Sequence, residues 1–474
     1  MTPPGDPVTV RAGDGTPLAA TLVRPAARRW PAVLIRTPSG REHLLPEARG
    51  WAAHGFGCLV VDVRGRGGSA GAVVPYAHET GDGLAALAAL RAVDGCDGRV
   101  VLAGASYGAH CAVVTAIAAP DVSGVLVAVP ALGPGETARE PGGAARLACR
   151  IGWWGEHGEG ARPAPPSALA ALPVTAALGT SPPGWPQLWD APADTPQLWA
   201  GVARATAPLL AVGGTADPFA ARTAQLARCW GGPSRLLLGP WGHELDARDP
   251  GAVLGGRRIG AVYAAWARAA AQGRARGSGA LVAAGTSGRW VRPGVRAVVV
   301  DAGPGGAFLA DPQQPVCSRA PHAPRPAPAP ATPPDRVVAR TPPLPAGTLA
   351  GPLRARLDVS TAAPDADWVV RIGLRGHDLV TAVRRERRAG RGEVVVTTAP
   401  VGAELHDGDR LDVEIAGHHW PAHARNPHTG ADPAHATDLR PDRRTVHAVR
   451  LELPHVPPGR DEVAAAAVPE EICP

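Results

Sequence analysis

The five residues from Gly104 to Gly108 are of types that could hold a nucleophilic serine on a tight turn. They read Gly-Ala-Ser-Tyr-Gly, so glycines stand two positions before and two positions after Ser106. A serine on a tight strand-to-helix turn needs such neighbours, because a larger side chain would clash with the turning backbone. The pattern alone is weak in a chain with 59 glycines. Its context is stronger, since a strand-like run, RVVLAG, precedes the serine and a helix-like run, YGAHCAVVTAIAA, follows it. The sequence therefore predicts Ser106 as a nucleophile.

Such a serine needs a base and an acid, because its hydroxyl is a weak nucleophile on its own. In α/β-hydrolases the partners follow in the order Ser, then Asp or Glu, then His. Asp217 follows the apolar run PLLAVGG, and His243 follows the apolar run SRLLLGP. Both therefore lie just beyond the carboxyl end of a predicted strand, where open α/β sheets place their sites. We expect Asp217 and His243 to complete a triad with Ser106.

Other titratable residues are weaker candidates. His110 lies one turn beyond Ser106 on the same predicted helix, where an imidazole is poorly aimed back at the serine. Asp62 also ends a predicted strand, and nearby backbone and arginine favour a structural role for it as a bound anion. Several C-terminal histidines lack helical ligand spacing, so a metal site is not predicted among His418, His419, His423 and His428.

Alternating strands and helices must position these residues. Strand-like and helix-like runs alternate over residues 1–130, after an N-terminal hairpin, and again over residues 207–273. This predicts one α/β core, with a parallel sheet covered by helices on both faces. Between them, residues 131–206 are rich in Trp, Pro and Gly, and we interpret this segment as a helical cap inserted into the core.

Tryptophans in the cap, and Trp241 beside His243, are candidates for binding an apolar or aromatic acyl group. Packing of the cap helices explains the cap tryptophans equally well, and the sequence does not decide between the two roles. The candidate substrate-binding residues are Trp153, Trp154, Trp185, Trp189 and Trp241.

The last part of the chain, residues 274–474, alternates strand-like runs with turn residues, and helical patterns nearly disappear. It is predicted to form an all-β sandwich or jelly roll. A proline-rich stretch, residues 321–336, is unsuited to a strand interior and is predicted as an extended surface connection.

The composition restricts the class of protein. Hydrophobic residues make up 45% and charged residues 19%, as in a globular domain. All 48 basic residues are arginine and are scattered, so the net charge of +6 does not indicate nucleic-acid binding. Seven dispersed cysteines without a Cys-x-x-Cys pair argue against a disulfide framework or a zinc site. No signal peptide or apolar run of about 18 residues is evident, so we expect a cytoplasmic protein without a membrane partner.

Four motifs together carry a family resemblance: DVRGRGGSAG, GASYG, GPWGH and HHWPAHARNPHTG. In this order, across nearly the whole chain, they resemble the CocE/NonD hydrolases, the group around cocaine esterase, α-amino-acid ester hydrolases and X-Pro dipeptidyl-peptidases. The resemblance implies an α/β-hydrolase core, an inserted helical cap and a C-terminal jelly-roll domain. It also implies Ser106 as nucleophile, Asp217 as acid and His243 as base, with no metal or organic cofactor.

One loop departs from the family pattern. The loop after the early strand usually reads Arg-x-Pro-Tyr in the family, and the tyrosine hydroxyl helps to form the oxyanion hole. Here the loop is RTPSGRE, with Ser39 in the place of that tyrosine. The candidate donors are therefore backbone N–H groups, that of Tyr107 and that of Ser39 or Gly40. Loss of one donor typically costs about 10²–10³ in rate, so this change could slow or alter the chemistry.

These features predict a serine hydrolase that cleaves an ester or amide bond of a small molecule through an acyl-enzyme. The family's peptidases recognise a substrate amine with acidic residues, and the cap offers candidates without a pattern: Glu156, Glu159, Asp190 and Asp194. Two alternatives stay open. An acyltransferase or cyclase would pass the same acyl group to an amine or alcohol, and a non-catalytic binding protein would retain only the hydrolase scaffold.

Overall fold

The computed structural model describes residues 5–160, 162–179, 182–245, 254–294, 297–319 and 334–472. Residues 321–333 of the predicted surface connection lie outside the described residues. No helix in the described ranges is long and apolar enough to cross a membrane.

In chain order the strands are β1 (Asp6–Arg11), β2 (Pro17–Val23), β3 (Trp30–Thr37), β4 (Gly57–Asp62), β5 (Cys96–Ala105), β6 (Gly124–Ala128), β7 (Leu209–Gly214), β8 (Ser234–Gly239), β9 (Gly279–Ala283), β10 (Arg289–Val291), β11 (Val298–Pro304), β12 (Ala307–Ala310), β13 (Arg336–Arg340), β14 (Gly347–Thr361), β15 (Ala366–Leu374), β16 (His377–Glu386), β17 (Gly390–Leu405), β18 (Leu411–Ala416), β19 (Asp442–Leu453), β20 (His455–Val456) and β21 (Glu462–Ala464).

The helices of the described residues are five to 13 residues long. In chain order they are α1 (Leu45–Ala53), α2 (Glu79–Arg91), α3 (Tyr107–Ala118), α4 (Pro134–Ala138), α5 (Ala148–His157), α6 (Trp185–Asp190), α7 (Pro196–Arg204), α8 (Ala220–Cys229), α9 (Ile259–Ala271) and α10 (Val468–Ile472). Single 3-10 turns add to them at Arg41–Leu44, Pro166–Ala170, Val174–Ala176 and Ala465–Ala467.

The largest sheet has the strand order β1-β2-β4-β3-β5-β6-β7-β8-β9-β10-β21. Its middle, from β4 to β9, is parallel, and the outer pairs are antiparallel. The central strands are almost continuously apolar and buried, as expected for strands covered on both faces. Helices α2, α3, α7 and α8 pack on one face, and α1, α9 and α10 pack on the other. This is the α/β-hydrolase type of core that the sequence predicts.

The segment that the sequence predicts as a cap, residues 131–206, contains α4 to α7. The first three of these helices surround a tryptophan-rich core that also includes Ala424 and Ala434 from the C-terminal part. Helix α7 instead packs on the α/β core, where Val202 is fully buried beside residues of α3 and α8. The name cap segment is used below for residues 131–206.

Two antiparallel sheets follow the core. One has the order β11-β19-β14-β17, with β12 beside β19 and β20 beside β14, and the other has the order β13-β18-β15-β16. Alternate side chains of both sheets share one apolar core, in which Leu357 and Val394 of the first sheet meet Trp368 and Ile415 of the second. The pattern of alternating buried residues in β14 and β17 explains why these runs form half-buried strands.

Not all strands after residue 274 join these two sheets. β9 continues the parallel core sheet beside β8, and β10 and β21 extend it further. The sequence prediction assigned these residues to the C-terminal β domain, because short strands carry no signal for the sheet they join. The end of the chain therefore returns to the core, where Val468 and Ile472 of α10 are buried against it.

Ile472→Ala tests whether the returning end of the chain stabilises the core. The isoleucine is only 2% exposed, so its truncation should lower the free energy of unfolding by about 2–5 kcal/mol, measured by chemical denaturation. Glu470→Ala, an exposed position on the same helix, is the control and should change little. Equal effects of the two substitutions would contradict this role for α10.

Candidate active site

Ser106 occupies a strained turn between β5 and α3. Its backbone has φ 52° and ψ −120°, a conformation that non-glycine residues rarely adopt. The Ser106 N–H donates to the carbonyl of Ala128 on β6, at 2.9 Å, which ties the turn to the neighbouring strand. Strain of this kind persists only where the surroundings hold the backbone in place, and it is typical of functional sites.

The two glycines of the motif are required by close backbone contacts. A Cβ at position 104 would lie 2.3 Å from the carbonyl oxygen of Gly108. A Cβ at position 108 would lie 2.7 Å from the carbonyl oxygen of Arg36, on β3. Any side chain at either position would therefore push the strand and the helix apart.

The structure brings Ser106, His243 and Asp217 together. His243 Nε2 is 2.9 Å from Ser106 Oγ, and His243 Nδ1 is 2.8 Å from Asp217 Oδ1. Because a carboxylate oxygen can only accept, Nδ1 carries the hydrogen and Nε2 is free to accept the serine proton. The Asp217 side chain is fully buried, whereas the imidazole is 30% exposed. The arrangement can transfer a proton from the serine to the imidazole.

Backbone hydrogen bonds hold the two partner loops together. Asp217 lies in the turn after β7, and His243 lies in the turn after β8. The Ala216 N–H donates to the Trp241 carbonyl at 3.0 Å, and the Thr215 N–H donates to the Gly239 carbonyl at 2.8 Å. The acid and the base are therefore positioned by adjacent parallel strands and by direct bonds between their loops.

The two weaker candidates have other partners. His110 is buried, and its Nδ1 accepts the N–H of Gly133 at 3.2 Å rather than facing Ser106. Burial lowers the pKa of His110 to about 3. Asp62 accepts the backbone N–H groups of Arg41, at 2.6 Å, and Gly68, at 2.9 Å, and forms an ion pair with the Arg41 guanidinium. Asp62 is the bound structural anion that the sequence predicts.

The Tyr107 side chain points away from the reacting groups. Its hydroxyl donates to the carboxylate of Glu79 and accepts the N–H of Tyr76 at 2.8 Å. Its backbone N–H is at the first position of α3, where a helix offers no internal acceptor. That N–H is therefore suited to bind an oxyanion on Ser106.

Ser39 uses both of its polar groups within the protein. Its N–H donates to Thr37 Oγ1 at 3.1 Å, and its hydroxyl lies 3.3 Å from His157 Nε2. His157 Nδ1 donates to the Trp153 carbonyl at 3.1 Å, so Nε2 accepts the Ser39 hydroxyl. The structure thus leaves the backbone of Gly40, with φ 92°, as the remaining candidate donor in this loop.

Four of the five candidate substrate-binding tryptophans lie in apolar cores. Trp154, Trp185 and Trp189 pack against one another in the cap segment, and Trp241 packs against Trp290. None of the four is more than 2% exposed, which is at odds with contact to a substrate and fits the packing role. Trp153 differs, since it is half-buried and its ring stacks on the Tyr107 ring at 5.5 Å.

The four acidic candidates of the cap segment are exposed or have other partners. Glu156 and Glu159 are exposed. Asp190 pairs with His435 at an exposed position, and Asp194 pairs with the buried Arg222. The part of the chain that the structure describes also contains no group of three or more His, Cys, Asp or Glu side chains placed to hold a metal ion.

Sequence reasoning missed three residues beside the triad. The Phe219 ring packs edge-on against His243, with ring centres 5.5 Å apart, and it lies two positions after Asp217. The guanidinium carbons of Arg146 and Arg150 lie 4.8 and 5.4 Å from the Phe219 ring centre. The spacing of Arg150 and Trp153 along α5 was an available signal, since residues three apart share a helix face. Arg146 precedes α5 and forms a β-bridge with His423, so helical spacing gave no signal for it.

The histidine-rich C-terminal motif contacts the cap segment. His423 Nε2 lies 3.0 Å from a carboxylate oxygen of Glu140, and the other oxygen of Glu140 accepts from Arg146 at 2.9 Å. His419 Nδ1 lies 3.2 Å from His423 Nδ1. The motif therefore contributes to the charge balance near the triad rather than to the reacting atoms.

The chain is similar to several known proteins. Residues 14–244 match the family model described as X-Pro dipeptidyl-peptidase (S15 family). Three solved structures share the fold over nearly the whole chain. An aminopeptidase from the marine sediment archaeon Thaumarchaeota archaeon has 18% sequence identity and a TM-score of 0.78, with 96% of each chain covered. An α-amino acid ester hydrolase has 18% identity and a TM-score of 0.76, again with 96% of each chain covered.

The third structure is a CocE/NonD family hydrolase from Staphylococcus aureus, with 12% identity and a TM-score of 0.67, covering 95% of this chain and 93% of that chain. No curated protein sequence matches significantly. The chain is a hydrolytic enzyme that acts on ester or amide bonds. Its resemblance to the CocE/NonD family of serine hydrolases, predicted from the sequence, is confirmed.

His110→Gln tests whether the neutral, buried His110 limits stability in acid. An ordinary histidine has a pKa of 6.5, so the unfolded chain binds one more proton than the folded chain between pH 6.5 and about 3. Stability therefore falls as the pH decreases through this window. Glutamine retains an acceptor for the Gly133 N–H but takes up no proton, so the drop in melting temperature between neutral pH and pH near 4.5 should be smaller.

The control is His54→Gln, an exposed histidine at the end of α1. It should keep the acid sensitivity of the unmodified protein. Identical melting curves for the two variants at both pH values would show that His110 is not responsible.

Proposed function

We propose that this enzyme cleaves an ester or amide bond of a small molecule through an acyl-enzyme on Ser106. The proposal is carried by one observation, the placement of His243 between Ser106 Oγ and Asp217 Oδ1 at 2.9 and 2.8 Å. In this arrangement Asp217 fixes the imidazole tautomer and stabilises the imidazolium that forms during the reaction.

The reaction proceeds in two steps. Ser106 Oγ forms a bond to the scissile carbonyl carbon while its proton passes to His243 Nε2, and the oxyanion that develops binds the Tyr107 N–H. The bond to the alcohol or amine then breaks, and that group leaves with the proton from His243. Water adds to the acyl-enzyme by the same route and regenerates Ser106. The backbone N–H of Gly40, in the loop after β3, supplies the second part of the oxyanion hole.

The domain organisation belongs to the same proposal. An α/β-hydrolase core carries the triad, the cap segment supplies Trp153 over the start of α3, and the two C-terminal sheets form a jelly roll. The contact of Trp153 with Tyr107 supports the placement of the cap segment at the site. The shared apolar core of the two sheets supports a single sandwich domain.

Labelling with a fluorophosphonate probe tests the nucleophile and the base. The probe should label Ser106 in the intact enzyme, and Ser106→Ala should abolish labelling. His243→Ala should lower turnover of aryl esters by about 10³-fold or more with little change in KM, because the imidazole transfers a proton and does not bind substrate.

The matched control is His110→Gln, which removes the other histidine near this turn. It should leave turnover nearly unchanged. Undiminished labelling of Ser106→Ala, or a loss of turnover in His110→Gln but not in His243→Ala, would overturn the assignment. A panel of aryl esters and aminoacyl amides then defines the bond that is cleaved.

Ser39→Ala tests whether the serine hydroxyl replaces the family's tyrosine. In the structure the hydroxyl is engaged with His157 and the N–H with Thr37, so removing the hydroxyl should lower turnover by less than about tenfold. Ser39→Gly also lacks the hydroxyl and should behave in the same way. A loss of about 10²-fold in both variants, with unchanged melting temperature and KM, would show that the hydroxyl stabilises the oxyanion.

A further inference from the structure

Arg150 lies near two aromatic rings, one of which contacts the base of the candidate triad and the other the residue after the nucleophile. Its guanidinium carbon is 5.4 Å from the centre of the Phe219 ring, and that ring packs against His243. It is also 5.9 Å from the centre of the Trp153 ring, which stacks on the side chain of Tyr107, the residue after Ser106. One aromatic ring therefore separates Arg150 from the base, and another separates it from the start of α3.

This guanidinium is buried without a polar partner. Arg150 is 3% exposed, and its Nε and Nη1 atoms are buried and lack a hydrogen bond. Eight arginines are buried in the described part of the chain. Arg150 is the exception among them, since the other seven have a hydrogen bond or an ion pair. These seven are Arg36, Arg139, Arg146, Arg222, Arg371, Arg385 and Arg444.

Among the described residues, no carboxylate forms an ion pair with Arg150. Arg146, which precedes α5, has Glu140 as its counterion, and Glu140 is also bound by His423. Glu136, also in the cap segment, is bound by Thr195 and Trp199, and the four acidic candidates described above are exposed or have other partners. A buried charge without a counterion is unfavourable, so a site that maintains one in the folded protein is suited to an anionic ligand.

We infer that Arg150 binds a carboxylate of the substrate, so that the preferred substrates are esters or amides of small molecules with a carboxylate near the scissile bond. This inference rests on the proposed function for the location of the substrate. A guanidinium presents two parallel N–H groups that match the two oxygens of a carboxylate. The guanidinium lies against the rings of Phe219 and Trp153, and a contact between charges is stronger in such apolar surroundings than in water.

A binding experiment in the Ser106→Ala background tests the inference without turnover. The probes are the monomethyl esters of succinic, glutaric and adipic acid, which carry one carboxylate, and the corresponding dimethyl esters, which carry none. At neutral pH, titration calorimetry should show that at least one monoester binds ten-fold or more tightly than its diester. Adding Arg150→Met should remove that preference, whereas Arg204→Met, an exposed arginine on α7, should preserve it.

A kinetic experiment separates failure of the inference from failure of the proposed function. The substrates are p-nitrophenyl monoesters of the same three acids and their methylated, uncharged analogues. Arg150→Met should raise KM for the preferred charged ester about 10–100-fold and change the uncharged analogue by less than about threefold. Hydrolysis of uncharged esters with no preference for the charged ones, in binding or in kinetics, would overturn the inference alone.

Equal losses on both esters in Arg150→Met would also overturn it, since they would indicate a structural role for the arginine. Preferential binding of a monoester that depends on Arg150, together with no hydrolysis and no probe labelling of Ser106, would support the carboxylate site and overturn the proposed function instead.

Discussion

The backbone contact between the turn at Ser106 and its neighbouring strands constrains the rest of the site. Gly104 and Gly108 let β5 and α3 approach so closely that the carbonyl of Arg36 on β3 would touch any side chain at position 108. The Ser106 N–H is bonded to β6 on the other side. The serine is thereby held between two parallel strands, and the loop after β3, which carries Ser39 and Gly40, is fixed beside it. The strained φ of Ser106 is maintained by these contacts.

The parallel sheet explains why the other two groups were predictable. Asp217 and His243 are far apart in sequence, but they follow adjacent strands whose carboxyl ends meet at one edge of the sheet. Strand-like runs ending in a short turn with Asp or His were therefore sufficient to predict their proximity. The helices of the core were predictable for the same reason, because periodicity and flanking glycines are local properties of the chain.

The properties that depend on tertiary contacts could not be read in this way. The sequence shows that Trp154, Trp185 and Trp189 belong to one tryptophan-rich segment. Only their packing in the structure shows that they form an interior core and do not line a pocket. The short strands β9, β10 and β21 lack a signal for the sheet they join. The partner of Ser39 could not be foreseen either, since His157 reaches it from a helix more than a hundred residues later. The local pattern of apolar and polar residues predicts helices and strands. The burial of a side chain and its hydrogen-bond partner depend on residues distant in sequence.

Charge balance connects the C-terminal motif to the chemistry of the site. Glu140 is shared by Arg146 and His423, so the histidine-rich loop binds the same carboxylate that pairs with Arg146 beside Phe219. Arg150 lies beside Phe219 and Trp153 and forms no ion pair with a described residue. A carboxylate substrate would by itself disfavour the negative oxyanion that forms on Ser106, because like charges repel strongly where water is excluded. Pairing that carboxylate with Arg150 removes the repulsion. The same arginine would disfavour a substrate with an ammonium group at this position, so its charge selects between substrates as well as binding them.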